Sequence, residues 1–258
     1  MSSGPLWASV IPVPDERPVH QFADEELFIK NSPYGNRFIS SVAPWLIEPL
    51  SLITNNAVSE EVLQCCVQGG KSTFLTVAAT YLTRFAPGPM MITSQTDADA
   101  KDLAKESIMP ALKSDKAIAS RISTDKSKTG ICNLSFTDMF LLIHGANLTN
   151  LQSKPIRYSL NDEVYLWGRG LLDQARKRTT RFWNRKIFIA STAGEMGSDM
   201  DLAYLDTDQR HWKLRCPECN ELNPTIGSQI KWPKQEDWNW KLLRESAYFE
   251  CEFCKAQI

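Results

Sequence analysis

Val62-Leu63-Gln64-Cys65-Cys66-Val67-Gln68-Gly69-Gly70-Lys71-Ser72-Thr73 is an apolar run that breaks into a glycine turn and then into a helix-forming segment. A strand, a glycine-rich turn and a helix N-terminus in that order form a cradle for phosphate, the layout of a P-loop. The amides of Gln68, Gly69, Gly70 and Lys71 curl round a triphosphate, Lys71 reaches its β- and γ-phosphates, and Ser72, followed by Thr73, stands where a hydroxyl can hold Mg²⁺. Gly-Lys-Ser alone occurs by chance in roughly one chain in ten, so the flanks decide. Glu61 to Val67 reads as a strand and Phe74 to Leu82 as a mostly buried helix. The usual first glycine of the pattern is Cys65 here, and a glycine turn without a ligand is the competing reading.

At 258 residues, with 43% hydrophobic content and interspersed charges, the chain can bury one sizeable core and a small appended module. No apolar run approaches the roughly 20 residues that span a bilayer, so no membrane association is expected. Met1-Ser2-Ser3-Gly4-Pro5 lacks the basic-then-apolar order of a secretory signal. A net charge of −1 means that any DNA contact must be local.

The seven cysteines fall into two groups. Cys65, Cys66 and Cys132 lie in apolar or strand-like settings and read as small buried residues. Cys216-Pro217-Glu218-Cys219 and Cys251-Glu252-Phe253-Cys254 are two CxxC pairs, each able to present two thiolates to one metal. Four thiolates suit tetrahedral Zn²⁺ and leave no open position, which implies a structural role. Two disulfides or a redox CxxC compete, but both need a compartment or context that this sequence does not show.

Along the chain, residues 1–30 carry Pro5, Pro12, Pro14 and Pro18 and read as an irregular surface segment. Pro44 to Ile53 reads as a short apolar helix leading to the P-loop strand. Pro89 to Ser94 is a second strand, followed by a helix over Thr96 to Leu112 with Asp97 and Asp99 at its N-terminus. Ile131–Phe136 and Phe140–Ile143 flank the turn Thr137-Asp138 as a hairpin. Ile156–Leu160 and Lys186–Ala190 are two further strands. This alternation predicts an α/β fold with a mainly parallel central sheet flanked by helices over residues 31–210, and a zinc-binding module over 211–258.

Two strand ends carry candidate chemistry. At Tyr158-Ser159-Leu160-Asn161-Asp162-Glu163, Asp162 would hold Mg²⁺ and Glu163 would orient and deprotonate the attacking water. An isolated Asp-Glu is more often a solvated loop; an upstream P-loop with a strand in between favours the ATPase and helicase branch of P-loop proteins, the ASCE type. At Ile189 to Gly194, Ser191 and Thr192 are either a γ-phosphate sensor or an ordinary strand-end turn.

The ordered set Pro44-Trp45-Leu46, Gly69 to Thr73, His144-Gly145-Ala146-Asn147, Asn161-Asp162-Glu163-Val164, Ser191-Thr192-Ala193 and the two CxxC pairs resembles the large terminase subunit of tailed bacteriophages, of the lambda-like type. The resemblance covers nearly the whole chain from about residue 30. It implies an ATP-hydrolysing motor that drives double-stranded DNA into a procapsid, using ATP, Mg²⁺ and structural Zn²⁺. It also implies a small terminase subunit and a portal as partners, a homo-oligomer when assembled with a monomer expected in isolation, and action in the cytoplasm of the infected host rather than in the virion. Large terminases carry a nuclease domain after the ATPase; this chain stops at Ile258, so an ATPase region without nuclease activity is expected. A helicase-like remodelling ATPase is the alternative, and a zinc-ribbon adaptor with a degenerate P-loop a third.

Family members often carry an Arg or Lys within or just before the P-loop, where this chain has Gln64, Val67 and Gln68. Arg169, Arg176, Lys177, Arg178, Arg181, Arg185 and Lys186 therefore become candidates for an arginine acting in trans or for contact with the phosphate backbone, against a basic solvated face. Trp45 is a candidate to stack on adenine, with a core tryptophan as an equal reading.

Overall fold

The computed structural model describes residues 15–125, 127, 129–152, 154–233 and 239–258. The P-loop strand is Glu60–Gln64 (β1), and the helix it feeds is Lys71–Phe85 (α3), preceded in the chain by Val19–Glu26 (α1) and Ile47–Leu52 (α2). Then come Met90–Ser94 (β2), a helical run of Asp97–Leu103 (α4), a π-turn at Ala104–Ile108 and Met109–Ser114 (α5), and the short Lys116–Ala119 (α6). Asn133–Ser135 (β3) and Phe140–Gly145 (β4) form the expected antiparallel hairpin. Leu148–Leu151 (α7), Tyr158–Asp162 (β5), Leu171–Lys177 (α8), Lys186–Ser191 (β6) and Asp199–Leu205 (α9) complete this part.

The six strands lie in the order β1-β6-β5-β2-β4-β3, with every neighbouring pair parallel except β4 and β3. Helices cover both faces, so the central strands are apolar on both sides. In β6, Phe188 and Ala190 enter one core with Phe74, Leu75 and Ala78 of α3. Ile187 and Ile189 enter the other with Leu172, Ala175 and Met200 from α8 and α9. This two-sided packing fixes which strand ends lie side by side: Gln64 is level with Ser191, and Asp162 with Ala190.

Packing divides the chain at Thr207 and Asp208. The second unit has two small antiparallel pairs, Lys213–Arg215 (β7) with Leu222–Pro224 (β8) and Ile230–Lys231 (β9) with Tyr248–Phe249 (β10), together with the helix Trp240–Ser246 (α10). Among the described residues no helix is long and apolar enough to cross a membrane.

Two expectations are corrected. The N-terminal prolines do not exclude a helix: Pro18 precedes α1, and its carbonyl accepts the amides of Gln21 and Phe22. Proline's fixed φ suits a helix entrance, and Val19, Phe22 and Ala23 are buried, with Phe22 edge-on to Tyr81 and Phe85. Pro5, Pro12 and Pro14 lie outside the described residues. Nor are the three cysteines outside the CxxC pairs buried: Cys66 is exposed, and Cys65 and Cys132 are only partly covered; at Cys65 and Cys66 the reason is that β1 ends at Gln64, before them.

Glu61 sits inside β1 with Oε2 buried and without a hydrogen-bond partner among the described residues. Burial pushes its carboxyl up to about 8, against the pull of Lys186. The folded state thus holds a proton that the unfolded chain, with an ordinary carboxyl, releases near pH 4.5. Stability is therefore highest below about pH 4.5 as far as this group is concerned, and falls as pH rises to about 8. Glu61→Gln should flatten that decline in thermal-melting series across this window; an unchanged slope would place the titration elsewhere.

Candidate nucleotide-hydrolysis site and cysteine cluster

The P-loop needs its glycines for space as well as conformation. Gly70 has φ +91°, and a methyl group there would fall 2.8 Å from Leu46 Cδ1; one on Gly69 would fall 2.5 Å from Cys65 Sγ. Gln68 also adopts a left-handed φ of 62°, which turns the chain back into α3. Lys71, the first residue of α3, is 6% exposed. Its Nζ donates to the Cys66 carbonyl at 2.9 Å and lies 3.5 Å from Glu163 Oε1. Ser72 is exposed and Thr73 half-buried at the same helix start.

Asp162 ends β5, and Glu163 leaves it with φ 49° and ψ 48°. That left-handed step costs of order 1 kcal/mol for a residue with a Cβ and stops the strand where its acidic residues begin. Glu163 is held by two bonds: its amide donates to the Ala190 carbonyl at 2.9 Å, and its Oε2 accepts the Thr192 amide at 3.3 Å. Asp162 Oδ1 is buried without a partner among the described residues. Burial first, and then the Glu163 charge, raise the Asp162 carboxyl to about 7 against the pull of Lys71. A buried carboxylate oxygen with no donor is poised for a cation.

Ser191 is fully buried, and its hydroxyl accepts the Tyr165 amide at 3.1 Å. It therefore ties the end of β6 to the turn after Glu163, while its carbonyl accepts the Cys65 amide at 3.0 Å. The three candidate segments meet through backbone bonds at the C-terminal ends of β1, β6 and β5. Sequence reasoning missed Leu46 and the Cys66 carbonyl; their only signal was the position of Pro44-Trp45-Leu46 ahead of the loop.

Trp45 is not a core residue. It is 37% exposed, and its indole Nε1 donates to the Gly69 carbonyl at 2.9 Å. Trp45→Phe keeps an aromatic ring and deletes this bond. It should weaken ATP and inorganic triphosphate alike by about fivefold, the worth of one hydrogen bond of about 1 kcal/mol, in titration calorimetry. A loss confined to adenine nucleotides would assign the ring to the base.

The basic stretch is not one face. Arg176 grips Glu60 through Nε at 3.0 and 3.1 Å and also pairs with Asp173. Arg178 is buried, with Nη1 donating to the Asn150 carbonyl, and buried Lys186 donates to the carbonyls of Leu52, Asn55 and Val58. These three are committed to the fold, which corrects their candidacy for DNA or a neighbouring subunit. Arg169, Lys177 and Arg181 are exposed and Arg185 half-buried.

In the second unit, the ligand atoms of Cys216, Cys219, Cys251 and Cys254 lie within 4.8 Å of one another. Cys216 and Cys254 sulfurs are 3.6 Å apart, as are those of Cys219 and Cys251, well beyond the roughly 2.05 Å of a disulfide. Four sulfurs about 2.3 Å from a central Zn²⁺ would stand about 3.8 Å apart, so the donor set fits that ion. Both CxxC segments close alike. Asn220 and Lys255 take left-handed φ values of 63° and 62°, and their amides donate to the carbonyls of Cys216 and Cys251 at 3.0 and 3.1 Å.

A glycine loop with a buried lysine at the end of β1, and an acidic pair two strands across at the end of β5 with β6 between them, have the layout of a P-loop nucleotide-binding fold with a mainly parallel sheet. More particularly, the chain belongs to the family of phage terminase large subunit gpA ATPase domains, whose model matches residues 32–258. Solved structures similar in fold include two phage terminases. The HK97 bacteriophage large terminase has a TM-score of 0.60 at 10% identity, over 73% of this chain and 40% of that one. The ATPase domain of the Thermus phage P74-26 large terminase has a TM-score of 0.51 at 13% identity, over 76% and 82%. The chain thus spans less than half of the HK97 protein. Comparison with curated proteins finds no match.

Proposed function

We propose that this chain hydrolyses ATP at the β–γ bond as the motor domain of a viral DNA-packaging terminase, coupling turnover to movement of double-stranded DNA into a procapsid. The observation that carries this reading is the meeting of Lys71 and Glu163, 3.5 Å apart, at the mouth of a glycine loop in a terminase ATPase fold. Gln68 to Thr73 bind the phosphates, and Lys71 neutralises charge that develops on them. Ser72 and Asp162 would hold Mg²⁺, which when bound adds to that neutralisation; the unpartnered Asp162 oxygen supports the assignment. Glu163, oriented by the Thr192 amide, takes the proton of the attacking water. Ser191 and Thr192 link the base to β6, so loss of the γ-phosphate can be felt along that strand.

The four cysteines hold a structural Zn²⁺ in the same reading. The partners are DNA, a small terminase subunit, a portal and further copies of this chain, and the place of action is the infected cell's cytoplasm rather than the virion. Nothing in the fold favours the helicase-like alternative. Phosphate release by the purified chain, measured with and without double-stranded DNA, tests the reading. DNA-stimulated turnover is expected; a chain that binds ATP yet turns none over in either condition would overturn it.

A further inference from the structure

Two buried polar atoms at neighbouring strand ends, Asp162 Oδ1 and Ser94 Oγ, have no hydrogen-bond partner among the described residues. The register of β2 on β5 runs from Met90 opposite Tyr158 to Thr93 opposite Asn161. Ser94, the last residue of β2, therefore stands level with Asp162, the last of β5, on strands roughly 4.8 Å apart. Side chains alternate along a strand. Met90 and Ile92, with Tyr158 and Leu160, enter the core built on α3, so Ser94 and Asp162 share that face, where Lys71 opens the helix. The Ser94 backbone is fixed: its carbonyl accepts the Ala146 amide at 2.8 Å. The chain beyond it is pressed on Gly145, where a methyl group would fall 2.4 Å from the Asp97 nitrogen. A buried polar atom without a partner is uncommon, and an ion or water is one explanation of it. Thr93 Oγ1 is orphaned too, but alternation turns it to the other core, with Met91.

We propose that Ser94 is a positioning residue of the Mg²⁺ site, its hydroxyl meeting water that the ion keeps beside Asp162. This rests on the reading of Ser72 and Asp162 as the side chains that would hold the ion. Mg²⁺ gives up its waters reluctantly and is usually bound through one or two protein oxygens and the substrate's phosphates. Water on a cation is a strong hydrogen-bond donor, so it needs acceptors on its outer side. The Lys71 ammonium and the amides of the glycine loop only donate. Asp162 Oδ1 and Ser94 Oγ are acceptors left open side by side. Both stand on strands rather than on a loop, which gives the precision that such a shell requires. A hydroxyl also accepts from water without adding a negative charge to the pair already formed by Asp162 and Glu163.

The experiment titrates Mg²⁺ into the full chain with a fluorescent ATP analogue and reads the Mg²⁺ concentration at half-maximal binding, after the affinity without added Mg²⁺ has been measured. Ser94→Ala should raise that concentration roughly 10- to 100-fold, the usual cost of losing an outer-shell partner, and leave the affinity without Mg²⁺ unchanged. Its melting temperature without nucleotide should be unchanged or higher, because the substitution removes a buried group that has no partner there. Thr93→Val, which removes the orphaned hydroxyl on the opposite face, should leave the Mg²⁺ response where it is. An unchanged Mg²⁺ response in Ser94→Ala, an equal loss of affinity without Mg²⁺, or an equal shift in Thr93→Val would each overturn the proposal. A lower melting temperature in Ser94→Ala would make the hydroxyl a part of the fold and overturn it as well. Binding by the unaltered chain that does not respond to Mg²⁺ would instead overturn the reading of Ser72 and Asp162, and is recognised before Ser94 is changed.

Discussion

Glu163→Gln should keep ATP and Mg²⁺ binding while turnover falls by roughly 10²- to 10⁴-fold, the worth of a positioned general base. The amide side chain has the same shape, so its oxygen can still accept the Thr192 amide as Glu163 Oε2 does at 3.3 Å. The main-chain bond from Glu163 to Ala190 is independent of the side chain, so the left-handed turn stays formed. What disappears is the negative charge beside Lys71 and the ability to take a proton. Removing a carboxylate that also raises the Asp162 carboxyl should make Asp162 ionise more readily, so Mg²⁺ binding should hold or improve. Equilibrium binding of an ATP analogue beside single-turnover phosphate release separates the two effects. Near-native turnover in this variant would remove Glu163 from the mechanism.

The second large effect concerns the Asp208–Ile258 unit. Among its described residues the only buried hydrophobic side chains are Cys216 and Cys251, while Trp212, Leu222, Ile226, Ile230, Trp232, Trp240, Leu242 and Phe253 are exposed. Such a unit has almost no apolar core to offset chain entropy. A four-thiolate zinc site contributes about 10–16 kcal/mol of apparent binding free energy, which is folding free energy when the apo unit is unfolded. Elemental analysis should therefore find close to one zinc per chain. Chelation, or Cys251→Ser, should open the segment beyond about Thr207 to protease while nucleotide binding by the P-loop unit survives. Metal-free protein with a protease-resistant C-terminal unit would refute the assignment.

Most of the fold was legible because it is written in local patterns. Alternating apolar strands and helices follow from which face each element buries, and β1, β2, β5, β6 and the β3–β4 hairpin fall where those patterns place them. The P-loop is equally local, since strand, glycines and lysine occupy consecutive residues. The α1 helix was missed because four prolines outweighed a short amphipathic segment, although Pro18 stands outside the helix and shapes its entrance. The exposure of Cys66 was missed for a related reason: residue type predicts burial only on average, and a turn can lift a cysteine out of the core.

By itself the sequence determined the glycine loop, the acidic strand end, the paired CxxC turns and the α/β class, because each depends on residues close together in the chain. Only the tertiary structure decided which of these meet. Strand order placed β6 between β1 and β5 and brought Lys71 to within 3.5 Å of Glu163. It turned Trp45 onto the Gly69 carbonyl and sorted the basic stretch into braces, buried at Arg178 and Lys186 and half-buried at Arg176, and exposed charges at Arg169, Lys177 and Arg181. The physical reason is that hydrophobic periodicity states which face of an element is buried but not which neighbour covers it. That choice is made when both faces of the sheet are packed at once, and the partners of a charged side chain follow from it.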